Sequence, residues 1–298
     1  MKGLRVIRHA TLIGAAVLLA ACSPARLVNA LVSTDTLVAR RDIAYGDNPR
    51  QRLDVYEPKE GPPPAAGRPV VVFFYGGSWD SGSREEYLFV AEALVSRGFV
   101  VVVPDYRVYP EVVFPAFLED GARAIAWTRR NARAHGGNPD RIFLMGHSAG
   151  AHIAAMLCFD AHFLAAVGES PGNLAGFIGL AGPYDFLPLT SERLKLIFAP
   201  EATIARTQPI TFVRGGEPPS LLITGTDDSV VSPGNTQRLA ARLRVVGARV
   251  TERRLEGLNH FTIVGYLAAP LRRADLLDEI AAFVAREAAP PRRAAATR

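Results

Sequence analysis

Apolar residues along this chain fall into short unbroken runs rather than alternating ones. Val70–Tyr75, Phe99–Val103, Ile142–Met145, Phe177–Ala181 and Ser220–Thr224 span four to six residues each. Runs that short are strands, and the lack of alternation marks them as buried on both faces. Longer amphipathic stretches lie between them. One predicts a helix ending near Arg97-Gly98, and a second runs from Pro115 to Ala134, stopped by Gly136-Gly137-Asn138-Pro139. Further helices are expected at Ala151–Cys158, Ser191–Phe198, Pro233–Val246 and Leu271–Ala285, with a strand at Arg249–Leu255. Near the front, Ile43–Tyr45 and Gln51–Tyr56 read as an antiparallel edge pair turning through Gly46-Asp47-Asn48-Pro49. Strands that alternate with helices need crossover connections. The pattern therefore predicts a doubly wound, mostly parallel α/β sheet with helices on both faces. In such a sheet, ligands bind beyond the carboxyl ends of the strands.

Charge matters only at the two ends. The formal net charge is +5, with 34 basic and 29 acidic residues. Lys2, Arg5, Arg8, Arg292, Arg293 and Arg298 outweigh that whole excess, and without them 28 basic residues face 29 acidic. A neutral body excludes nucleic acid as the main partner. Positive residues followed by the apolar run Ala10–Ala21 read as a signal peptide over 1–21, too short to span a bilayer. The stretch 22–40 reads as a linker, 41–289 as one domain and 290–298 as a tail. Within the domain, 183–219 is the least regular part and is expected to roof the binding pocket.

The candidate chemistry begins at Gly146-His147-Ser148-Ala149-Gly150. A buried strand runs into it and an alanine-rich helix leaves it, which is the setting of a nucleophile on a strained turn. The glycines make room, since a Cβ at either would collide at so tight a bend. Ser148 then stands at the positive end of a helix. A serine hydroxyl needs a base to take its proton and a carboxylate to orient that base. His152 and His162 lie on or at the end of the helix that Ser148 starts, where neither can approach from outside. His260 follows the last strand, in Glu256-Gly-Leu-Asn-His-Phe261, and is the candidate base. The acid belongs after the strand ending at Thr224. There Asp227 and Asp228 compete, with Asp185 a weaker third. Developing negative charge on a carbonyl oxygen needs preset N–H donors. Ala149 is one, and Gly77 and Ser78 in the loop after Tyr75 are the others.

Taken together, Tyr75-Gly-Gly-Ser-Trp79, Pro104-Asp-Tyr-Arg107, Gly137-Asn-Pro-Asp-Arg141, Gly146-His-Ser-Ala-Gly150, Gly225-Thr-Asp-Asp-Ser-Val-Val231 and Asn259-His260 resemble the carboxylesterases of the α/β-hydrolase superfamily. The resemblance covers about residues 42–288 and leans to the branch with a His-Gly-Gly-x-Trp motif, which holds prenylcysteine-methylesterase-like and arylformamidase-like enzymes. It implies a catalytic triad of Ser148, Asp228 and His260, the Asp-x-Val-Val context favouring Asp228 over Asp227. It also implies a small-molecule ester as substrate, with neither metal nor organic cofactor. Tyr75 departs from the pattern by standing where the branch has histidine. Leu19-Ala20-Ala21-Cys22 resembles the lipobox of bacterial lipoproteins, which implies lipidation of Cys22, membrane attachment through that anchor, and a place in the cell envelope. Ser23 after the cysteine leans towards the periplasmic side of the outer membrane, with the linker holding the domain clear of the bilayer. The competing readings are an amide or formamide hydrolase or peptidase on the same triad, and a non-catalytic envelope binding protein on the same fold.

Overall fold

All the apolar runs become neighbours in one eight-stranded sheet. The computed structural model describes residues 28–30 and 32–288; the signal stretch, Cys22 and the 290–298 tail lie outside the described residues. The strands are β1 (Leu37–Ala44), β2 (Arg52–Pro58), β3 (Arg68–Phe74), β4 (Val100–Pro104), β5 (Gly137–His147), β6 (Gly176–Leu180), β7 (Ser220–Gly225) and β8 (Val250–Leu255). Their spatial order is β1-β2-β4-β3-β5-β6-β7-β8. β3 to β8 run parallel, while β2 is antiparallel to both β1 and β4.

The helices are α1 (Leu88–Val95), α2 (Ala116–Asn131), α3 (Ala149–Phe159), α4 (Ala161–Ala165), α5 (Glu192–Phe198), α6 (Gly234–Val245), α7 (Thr262–Gly265) and α8 (Ala274–Ala288). α1 packs with α8, and α2 packs with α3. The sheet residues between them explain the unbroken apolar runs. Phe73 meets Tyr87 just ahead of α1, at a ring separation of 5.6 Å, while Phe74 approaches Gly121 in α2. Consecutive side chains on a strand point to opposite faces, so both faces of β3 must be apolar.

β3 has β4 on one side and β5 on the other, so the chain reverses its direction of travel across the sheet at this strand. Loops leaving β3 and β5 consequently part from each other there and open a crevice. Phe74 pairs in register with Gly146, which sets the loop after β3 beside the turn after β5.

Three differences from the sequence-based expectations have physical causes. The linker assigned to 22–40 is partly built into the fold: β1 starts at Leu37, and Asn29 bonds the Glu85 carbonyl and the Phe89 amide. β1 is an edge strand whose residues Ala39–Asp42 are not buried, so no alternation advertised it. α2 ends at Asn131 and continues as a 3-10 turn to His135, closed by Gly136 at φ 72°. The short helices α4 and α7 were not foreseen, because one turn of helix leaves no periodic trace.

An ionic cluster centred on the buried Arg84 ties the antiparallel edge to the crevice. Arg84 donates from Nε to Asp54 at 2.9 Å, from Nη2 to Asp42 at 2.8 Å, and from Nη1 to Asp105, whose other oxygen takes the Arg84 amide at 2.7 Å. Removing one member of a buried ion pair leaves its partner uncompensated. Arg84→Ala is expected to lower stability by about 3–5 kcal/mol, read from urea unfolding.

Candidate active site

Ser148 sits at φ 55° and ψ −124°, between the last residue of β5 and the first of α3. Few non-glycine residues tolerate that conformation, which costs about 1–3 kcal/mol. The two glycines have the expected cause. A Cβ on Gly146 would lie 2.3 Å from the Gly150 carbonyl oxygen, and one on Gly150 would lie 2.0 Å from the Phe74 carbonyl oxygen. The helix thus packs backbone to backbone on β3, and the Ser148 amide anchors the turn by donating to Leu180 at 3.0 Å.

The structure brings Ser148, His260 and Asp228 together. The Ser148 hydroxyl lies 2.8 Å from His260 Nε2, and His260 Nδ1 lies 2.9 Å from Asp228 Oδ2. The second oxygen of Asp228 accepts the amides of Val230 at 3.0 Å and Val231 at 2.8 Å. Burial alone would raise the pKa of this carboxyl. The hydrogen bond from His260 and the two amides outweigh burial and hold it below its ordinary range. The loop carrying His260 is fixed by Asn259, whose side-chain oxygen takes the amides of Phe261 at 3.0 Å and Thr262 at 2.9 Å.

The other candidates fall elsewhere. Asp227 is exposed, and its carboxylate accepts from the hydroxyl of its neighbour Thr226 at 3.0 Å. Asp185 pairs with Arg238, and His162 is exposed beside the N-cap Asp160. His152 is buried and donates from Nε2 to the Thr207 carbonyl at 2.8 Å, fastening the 183–219 stretch to α3. Its ring meets Trp79, Phe186 and Phe198 edge-on.

Gly77 and Ser78 stand with Ser148 around one cavity, and Ala149 opens α3, where the first N–H groups have no partner within the helix. Gly77 has φ 130°, and a Cβ there would meet the Ser81 carbonyl oxygen at 2.3 Å. Tyr75, at the position where the resembling branch has histidine, braces this loop. Its hydroxyl donates to Asp105 at 2.7 Å and accepts from Arg50 at 3.1 Å, and its carbonyl takes the Tyr106 hydroxyl at 2.8 Å. Its ring stacks on Tyr87 at 5.4 Å and Tyr106 at 4.8 Å.

Two cavities meet at Ser148. One, of about 300 Å³, is walled by Val28, Tyr87, Phe89, Phe261, Val264 and His260. The other, of about 580 Å³, is walled by Trp79, Phe186, Leu194, Thr190, Asp80 and Arg193. Sequence reasoning expected the 183–219 roof without saying which of its side chains face Ser148, and it missed Val28 altogether. His147 was also missed, although it sits in the motif. Its Nε2 donates to the His260 carbonyl at 2.8 Å, joining the nucleophile turn to the histidine loop.

A serine on a strained strand-to-helix turn, bonded to a histidine delivered after the last strand of such a sheet, defines the α/β-hydrolase fold. The chain belongs to the BD-FAE family, whose model matches residues 53–243. It is 31% identical over 257 residues to a probable isoprenylcysteine alpha-carbonyl methylesterase of Arabidopsis thaliana, covering 78% of this chain and 52% of that protein. It is 34% identical over 242 residues to esterase LipC of Mycobacterium tuberculosis, covering 75% of this chain and 60% of that one. The chain thus spans between half and two thirds of these relatives' length. The solved structure of an inhibited esterase B from Lactobacillus rhamnosis shares the fold, with a TM-score of 0.77 at 21% identity over 94% of this chain and 97% of that one.

Two buried histidines shape the acid limit of the fold. Burial lowers His147 to about 3 and His152 to about 4 from an ordinary 6.5. Both are neutral when folded and bind protons readily when unfolded. Their contribution to stability is therefore complete above about pH 6.5 and is lost as pH falls below it. At about pH 5 the loss is about 2 kcal/mol for each histidine. His152→Gln keeps a donor for the Thr207 carbonyl, and its urea midpoint is expected to fall less than that of the parent between about pH 7 and about pH 5.

Proposed function

We propose that this protein is a serine hydrolase that cleaves small or medium carboxylic esters through an acyl-enzyme on Ser148. The observation that carries this reading is the continuous chain of hydrogen bonds from Ser148 through His260 to Asp228, at 2.8 Å and 2.9 Å. His260 Nε2 takes the hydroxyl proton as Ser148 Oγ attacks the ester carbon. The C=O pair moves onto oxygen, and the amides of Gly77, Ser78 and Ala149 meet that oxyanion. Asp228, held ionised by His260 and two amides, stabilises the imidazolium and fixes its tautomer. The proton passes from His260 to the departing alkoxide, leaving an ester on Ser148. Water, deprotonated by the same histidine, reverses the sequence and frees the acid. Relatives named methylesterase and esterase support an ester substrate.

Ser148→Ala is expected to abolish labelling by a fluorophosphonate and to cut ester turnover by about four to six orders of magnitude. Near-parental hydrolysis in that variant overturns the mechanism. Asp228→Asn is expected to cost at least about a hundredfold more activity than Asp227→Asn. Faster cleavage of matched amides or formamides than of esters would reassign the substrate class while keeping the triad.

We also infer that Cys22 carries the lipid of a bacterial lipoprotein and holds the enzyme in the cell envelope, on the strength of Leu19-Ala20-Ala21-Cys22 and the positive, apolar stretch before it. Acyl chains bind membranes by about 0.8 kcal/mol per buried methylene, and stable anchoring takes more than one. The parent chain should then resist release by high salt, and Cys22→Ser should be soluble. A mature protein without acyl mass at Cys22 refutes the anchor.

A further inference from the structure

The two cavities at Ser148 are not equivalent towards the base. His260 borders the smaller one only, while Ser78, Ser148 and Val230 border both. An ester at Ser148 turns its carbonyl oxygen to the N–H donors, and its acyl and alcohol parts then diverge. The alcohol oxygen must come within hydrogen-bond reach of His260 Nε2 to receive the proton. Building on the ester-hydrolase reading, we infer that the smaller cavity holds the leaving alcohol, that this alcohol is apolar, and that Val28 sets its size. The acyl part occupies the larger cavity.

The walls agree with the assignment. Among the described residues lining the smaller cavity none is acidic or a lysine or arginine, and Val28, Tyr87, Phe89, Phe261 and Val264 surround it. The larger cavity offers Asp80, Thr190, Ser191, Arg193, Ser232 and Asn235 beside Trp79 and Phe186, and it suits an acyl group with polar substituents.

Val28 is held in place from both ends of one side chain. Asn29 donates from Nδ2 to the Glu85 carbonyl at 2.7 Å and accepts the Phe89 amide on Oδ1 at 3.0 Å. Glu85 and Phe89 flank Tyr87, which walls the same cavity, so the clamp and the wall are one unit. The family match runs from residue 53 to 243. Tyr87 and Phe89 lie within it, while Val28, Phe261 and Val264, like His260, lie outside it.

The test uses the full chain with two ester series: acetates of lengthening alcohols from methyl to hexyl, and ethyl esters of lengthening acids from acetate to octanoate. Val28→Trp fills the smaller cavity. It is expected to lower the hexyl-to-methyl ratio of kcat/KM by about tenfold or more, while the octanoate-to-acetate ratio stays within about twofold. Leu194→Trp, on the wall of the larger cavity, is expected to do the reverse. Asn29→Ala, which frees the clamp without adding bulk, is expected to blunt alcohol selectivity as well and covers a tryptophan that folds away from the cavity. If Val28→Trp moves the acid series instead, or if neither Val28→Trp nor Asn29→Ala moves the alcohol series, the assignment is overturned. Absence of both fluorophosphonate labelling and ester turnover in the parent chain overturns the ester-hydrolase reading itself, and is thereby told apart from a wrong assignment of the cavities.

Discussion

There is no room for a side chain between α3 and the end of β3. A Cβ at Gly150 would stand 2.0 Å from the Phe74 carbonyl oxygen, and the geometry of the site depends on that closeness. It lets the chain turn from β5 into α3 within one residue, forces Ser148 into its strained conformation, and puts the first free amide of the helix beside the nucleophile. The strain persists because the strands on either side over-determine it. Val70–Phe74 and Ile142–Met145 are wholly buried, and β5 is hydrogen-bonded to β3 and to β6.

The loop after β3 has the opposite problem. Its glycines and positive φ angles give it freedom, and something must remove that freedom before preset donors can exist. Tyr75 does so with a phenol that reaches Asp105 and Arg50, and Arg84 joins Asp105 to Asp54 and Asp42. Aromatic stacking on both faces of Tyr75 adds rigidity that a smaller imidazole in its place would supply less fully. Losing a buried member of the cluster, Arg84, Asp54 or Asp105, leaves its partners uncompensated; here the cluster ties one edge of the sheet to the loop beside Ser148.

The parts of this architecture that rest on local rules were legible in the sequence. Buried parallel strands need unbroken apolar runs, and all five became strands. Four lie within two residues of their expected bounds, while β5 begins at Gly137, five residues ahead of its apolar run. The Gly-His-Ser-Ala-Gly turn and the position of His260 after the last strand placed two members of the hydrogen-bonded chain, and Asp228 lies where its context suggested. What could not be read depended on contacts between distant segments. β1 hides because an edge strand has one buried residue in its first half. Val28 hides because its importance lies in Asn29 reaching Glu85 and Phe89, partners 56 and 60 residues away. His147 was passed over as the variable position of a motif, although its bond to the His260 carbonyl spans 113 residues. The roof at 183–219 was visible only as irregularity, since its packing on Trp79 and His152 follows no period.

The docked position of Val28 alters the picture of a domain held off by a slack tether. Six residue steps separate Cys22 from Val28, and an extended chain of that length reaches about 20 Å at most. With Cys22 acylated as proposed, the mouth of the smaller cavity is leashed to the lipid headgroups, and Phe261 and Val230, 69% and 58% exposed, stand on its rim. An ester partitioned into the bilayer would then find the enzyme by diffusing laterally rather than by crossing water. The rate would follow the surface density of ester per lipid, and adding empty vesicles would slow the reaction by dilution even with every reagent's bulk concentration unchanged.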